Sequence, residues 1–146
     1  MGRRAPPQIN YTALADFRHE IRRFLSFSEI VARAAGIEPQ QHQALLAIKG
    51  RPLGSETTVG VLAERLQLRH HSTVELSRRL EGNGWIRRSR HGSDRREVQL
   101  VVTPRGEKLL AKLSLLHRNE LRTAGPRLIR ALQFAAARRL GSRRHS

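Results

Sequence analysis

The chain has 146 residues and a formal net charge of +16, from 28 basic against 12 acidic residues, which is enough for one domain with a core of its own. Cysteine is absent from the sequence, which excludes disulfides, thiolate redox sensing and cysteine-ligated zinc. No run of about 18 apolar residues is present to span a bilayer, and the opening MGRRAPPQIN lacks the apolar centre of a signal peptide, so the expected address is the cytoplasm.

Only Lys49, Lys108 and Lys112 supply lysine; all other cations are arginine. A guanidinium forks onto phosphate and enters narrow grooves, so this bias favours nucleic acid as a partner. Residues 1–10 read as a short basic arm. From Thr12 to about Ala35, Leu14, Phe17, Ile21, Phe24 and Val31 recur at helical spacing, and Gly36 ends the helix. Glu38-Pro39 opens a second helix with Ala44, Leu45 and Ile48 inward, stopped by Gly50-Arg51-Pro52. Thr58 caps a third helix reaching about Leu66, with Val59, Leu62, Ala63 and Leu66 inward. After the short turn Gln67-Leu68-Arg69, a fourth helix runs to about Glu81, burying Leu76 and Leu80 and ending at Gly82-Asn83-Gly84.

Trp85-Ile86 then begins a β-hairpin. His91-Gly92-Ser93-Asp94 has turn composition, and on the return strand Val98, Leu100 and Val102 alternate with Glu97 and Gln99. Arg87, Arg88, Arg90, Arg95 and Arg96 lie on its arms and tip. Thr103-Pro104 caps and opens a long helix with Leu109, Leu113 and Leu116 in register. Gly125-Pro126 is expected to break it, leaving a last helix from about Arg127 to Leu140 with Leu128, Leu132, Ala135 and Ala136 inward. The predicted class is mainly α with a small β-hairpin wing. Residues 37–103 form a winged helix-turn-helix lobe, and 11–36 and 104–141 are dimerisation helices of one 1–146 domain. The outer helices are too apolar on one face for a lone small domain, which points to a homodimer.

In a helix-turn-helix the second helix enters the major groove by its N-terminal end. Here that end carries His70, His71, Ser72, Val74 and Glu75, with Arg78 one turn on. Ser72 and the helix N-terminus suit phosphate. Val74 suits a thymine methyl, and Glu75 a cytosine amine. The alternative for each alone is an ordinary solvent-facing side chain. Between residues 60 and 105, ten arginines stand against five acids. Asp94, an acid within the arginine cluster, is placed to pin the wing by pairing with Arg79 or Arg96; the alternative is an ordinary turn aspartate.

These pieces together resemble the MarR family of multiple-antibiotic-resistance-type regulators over residues 37–110. The resemblance rests on Pro39-Gln40, Leu62-Ala63-Glu64-Arg65-Leu66, Arg79-Leu80-Glu81, Asn83-Gly84-Trp85-Ile86, and Ser93-Asp94-Arg95-Arg96 followed by Val98–Thr103, Pro104, Arg105 and Gly106. It implies a homodimeric winged helix-turn-helix regulator on pseudo-palindromic double-stranded DNA. His70–Arg78 fall on the family's recognition helix, Asp94 and Arg96 on its wing pair, and Arg95 and Arg96 enter the minor groove. The sequence departs from the pattern in its His70-His71 opening and in a longer Leu53–Glu56 loop, and without cysteine it is unlike the thiol-sensing branch. The resemblance also implies a small aromatic effector, for which Phe17, Phe24, His42, Leu45, Trp85 and Leu113 are the candidate lining; simple core packing is the alternative.

His42 and His117 come near one another in the resembled fold. A metal needs three or four converging ligands, so no metal and no other cofactor is assigned. No nucleophile, phosphate-loop or metalloprotease motif is present, which argues against an enzyme. The expected function is therefore a ligand-responsive repressor. The alternative is a nonspecific basic protein coating DNA or bound to RNA. Against RNA stands the scarcity of aromatic stacking surfaces, since Trp85 is the sole aromatic of the reading module.

Overall fold

The structure, a computed structural model, describes Gly2 and residues 8–90 and 96–137. The hairpin tip expected at His91–Asp94, together with Arg95, lies outside the described residues, as does the end of the expected last helix. Helix α1 spans Tyr11–Ala34, α2 Pro39–Lys49, α3 Val59–Leu66 and α4 His70–Gly82. Strands β1 (Ile86–Ser89) and β2 (Gln99–Val102) follow, then α5 from Pro104 to Ala136. No helix among the described residues is long and apolar enough to cross a membrane.

Local chemistry accounts for most boundaries. Asn10 accepts from the Ala13 amide through Oδ1 at 3.0 Å and caps α1. Its far end closes through Gly36 at φ +83°, with the Ile37 amide donating to the Ala32 carbonyl at 3.1 Å. Pro39 occupies the first turn of α2, where its missing N–H costs nothing. Thr58 accepts from the Val61 amide at 3.2 Å and starts α3. The turn between α3 and α4 passes through Gln67 at φ 53°, and the Leu68 amide donates to the Ala63 carbonyl at 2.9 Å. Thr103 caps α5, its Oγ1 accepting from the Gly106 amide at 3.1 Å.

The chain divides into two compact units, residues 1–27 with 118–146 and residues 28–117. The second unit holds the winged helix-turn-helix. Its core joins Ala44, Leu45 and Ile48 of α2, Leu62 of α3, Leu76 and Leu80 of α4, Ile86, Leu100 and Val102 of the hairpin, and Leu110 and Leu113 of α5. The strands are antiparallel, with Ile86 opposite Val102 and Ser89 opposite Gln99. Arg88 faces Leu100 with both amides turned outward: Leu100 donates to the Thr57 carbonyl at 2.8 Å, and Arg88 to the Glu81 carboxylate at 2.8 Å. Val59 adds a further rung, donating to the Val98 carbonyl at 3.1 Å.

The first unit is made from the outer parts of α1 and α5. Ala13 and Ala124 are buried there, and Glu20 accepts from Arg127 Nε at 3.4 Å. The expected break at Gly125-Pro126 is not found: α5 is one helix of 33 residues with Pro126 inside it. A proline normally drives the preceding residue out of the helical region because its ring meets that residue's Cβ. Gly125 has no Cβ, which removes that part of the clash, and Pro126 is exposed to solvent. Leu14, Leu116 and Leu132, which helical spacing puts on the apolar faces of the outer helices, are exposed in the single chain.

Candidate nucleic-acid interface

Helix α4 divides cleanly into two faces. Thr73, Leu76, Ser77 and Leu80 are buried at spacings of three and four. The two buried hydroxyls are satisfied within the helix, Thr73 donating to the Arg69 carbonyl at 2.9 Å and Ser77 to that of Val74 at 2.7 Å. The opposite face exposes His70, His71, Glu75, Arg78 and Arg79, with Ser72 half-buried beside them. Arg69 stands at the N-cap without a side-chain cap, so the first-turn amides of α4 have no capping side chain. Val74 is half-buried and packs against the core, which leaves only part of it for a base. Arg78 pairs with Glu75 at 3.1 Å, both side chains more than half exposed. Such a surface pair is weak and exchanges readily for a phosphate partner.

The wing begins beside this face. Arg87 and Arg90 are exposed on the first strand and just beyond it, and Arg96 is exposed on the return. Arg88 is half-buried, and its backbone is held to α4 through Glu81. Asp94 and Arg95 lie outside the described residues. Arg69, Arg79 and Glu81 complete the face; sequence had named Arg79 only as a partner for Asp94 and, with Glu81, as part of a motif, not as residues of the DNA-facing surface. For Arg79 the signal was present, since it follows Glu75 by four residues and so shares its side of the helix.

The six residues proposed to line an effector site are distributed differently. Leu45, Trp85 and Leu113 are buried members of the second unit's core, and Phe17 and Phe24 belong to the first unit. His42 is buried, with its ring centroid 4.9 Å from that of His117. His117 Nδ1 lies 2.6 Å from the Leu113 carbonyl and Nε2 lies 2.7 Å from the Ser28 hydroxyl. A carbonyl only accepts, so Nδ1 carries a proton and donates to Leu113, while Nε2 pairs with the Ser28 hydroxyl. His42 Nδ1 is buried without a partner. Burial, and then the neighbouring His117, push the His42 pKa down to about 4. Among the described residues no three histidines, aspartates or glutamates gather as a metal would require.

Residues 35–97 match the sequence model of the MarR family. The winged-helix lobe is therefore similar to the MarR family. No curated protein sequence matches the chain. Among solved structures, the MarR-family regulator AbsC of Streptomyces coelicolor superposes with a TM-score of 0.70 at 19% identity, covering 88% of this chain and 91% of its own. A MepR–DNA complex of Staphylococcus aureus gives 0.69 at 21% identity, with 88% and 93% covered. Wild-type MarR from E. coli gives 0.60 at 17% identity, with 89% and 87% covered. Likeness at these identities establishes the MarR-type fold, mostly helical with one antiparallel hairpin. Within that fold, α3 and α4 are the helix-turn-helix and β1–β2 the wing.

Proposed function

We propose that the chain is a sequence-specific DNA-binding transcriptional regulator that acts as a homodimer on a pseudo-palindromic operator. One observation carries this reading: the second helix of the helix-turn-helix presents a polar, cation-rich outer face, uncapped at its N-terminus, beside an arginine-bearing wing. His70, His71, Ser72 and Arg78 are the groups assigned to the major groove, with Glu75 able to accept from a cytosine amine. Arg90, Arg95 and Arg96 are assigned to the backbone and minor groove. That MepR of the same fold has been solved with DNA supports the assignment.

The homodimer draws support from the first unit, where Tyr11, Leu25, Ile129, Leu132 and Phe134 are all at least 46% exposed. An apolar surface of that kind is the usual mark of a subunit contact. Two α4 helices in a symmetric dimer would enter successive major grooves about 34 Å apart. Binding there obstructs transcription, which makes repression the expected sign, and a small aromatic effector its expected release.

Footprinting on the DNA flanking the chain's own gene, with random duplex competitor across a salt series, tests the proposal. One palindromic footprint that survives competitor supports it. Equal affinity for every duplex would show a nonspecific coating protein instead.

A further inference from the structure

The corner between α4 and β1 is held by more than core packing. Asn83 is the C-cap of α4, and its carbonyl is one that a helix leaves without an intrahelical donor. Arg105, in the first turn of α5, donates to that carbonyl from Nη1 at 2.7 Å. The same guanidinium lies over the Trp85 ring, 4.2 Å from its centroid. A side chain at Gly84, whose φ is +78°, would stand 3.0 Å from Arg105 Nη1. Thr103 Oγ1 donates to the Gly84 carbonyl at 2.7 Å, and a Cβ on Gly106 would come within 2.3 Å of the Trp85 carbonyl. From the other side the Asn83 side chain donates from Nδ2 to Gln41 Oε1 of α2 at 3.2 Å. The start of α5 therefore grips the end of α4 at backbone level.

We infer that Arg105 is a positioning residue for DNA reading: by clamping the Asn83 carbonyl and the Trp85 ring, it fixes α4 and the wing strand in one orientation against α5. The inference rests on the DNA-binding role proposed above. The dipole of α4 favours a positive charge at its C-terminal end, which offsets the opposing dipole of the α5 N-terminus on which Arg105 stands. Arg105 is exposed and contributes little to the core, so its removal is expected to loosen the corner without unfolding the chain.

The test uses the full chain, a duplex it selects from a random pool, and a random-sequence duplex. Arg105→Met is expected to weaken the selected duplex about fivefold to tenfold, a fraction of what one cation–π contact and one charged hydrogen bond contribute to the corner itself. Affinity for random duplex and the salt slope should not change. Trp85 is the single tryptophan, so its emission should move to the red and its quenching by acrylamide should rise. Arg105→Lys, which keeps a cation and a donor, should restore most of the affinity. Equal losses on both duplexes with a salt slope lower by about one per protomer would mean that Arg105 is itself a phosphate contact, overturning the inference. Unchanged affinity or unchanged Trp85 emission would overturn it too. Wild-type protein that binds all duplexes alike removes the DNA reading and the positioning role with it, whereas the emission change would still show the clamp.

Discussion

At the scale of single residues, two buried positions set measurable limits. His42 has a folded pKa of about 4, below the ordinary 6.5. The unfolded chain therefore binds more protons between those values, and stability falls as pH drops through that window. The contribution, complete above pH ~6.5, is lost towards pH ~4 and amounts to about 1–3 kcal/mol. Urea unfolding of wild type and His42→Asn across pH 4–7 should give a difference that shrinks as pH falls; parallel curves would contradict the assignment. Gly106 is the second such position. Gly106→Ala places a methyl 2.3 Å from the Trp85 carbonyl and 2.9 Å from Val102 Cγ1, so the thermal midpoint should fall, by a destabilisation of about 1–3 kcal/mol. The approach of His42 and His117 was foreseeable from the resembled fold. Ser28 was not, because it stands 89 residues from His117 and only the packed lobe brings them together. Glu81 was hidden for the same reason, its partner being a backbone amide that leaves no trace in composition.

At the scale of elements, the sequence was most legible where a boundary is decided by a few adjacent residues. Thr58, Pro39 and Thr103 act through groups within three or four positions, so their caps can be read without knowing the fold. The Gly125-Pro126 pair misled because one part of its usual meaning, the clash of the proline ring with the preceding Cβ, is absent at a glycine. A helix supported along its length tolerates one missing amide. That tolerance still has a cost, and Pro126→Ala should stabilise the chain by about 1–3 kcal/mol in equilibrium unfolding. A neutral or destabilising result would mean that the proline sets a bend on which packing depends. The inward faces of α1 and α5 were also hard to read, because apolar periodicity does not say whether a stripe meets its own core or a second copy.

At the scale of the whole molecule, the proposed function gives the two units different tasks. Arg96→Ala should lower operator affinity by a factor of about ten while leaving the sedimenting mass unchanged, as one charged contact per half-site implies. Unaltered affinity would remove Arg96 from the interface. Conversely, Ile129→Glu, at a position 59% exposed in the first unit, should lower the mass by sedimentation equilibrium towards one chain and weaken operator binding with it, since two half-sites are then no longer linked. Retention of the dimer mass would place the contact elsewhere. The order of elements and the existence of a wing were legible because helix and strand periods differ. The grip of α5 on the α4–β1 corner was not, because Arg105 reads in sequence as one more arginine among many.

The outward amides of Arg88 and Leu100 have a consequence for solubility. A two-stranded sheet normally leaves an edge on each side, and each edge is a template on which another chain can add a strand. Here Glu81 takes one amide and Thr57 the other, while Val59 ties the backbone of the return strand once more. A cationic hairpin that many chains would crowd along one polyanion thus offers its neighbours little on which to start a continuous β-structure.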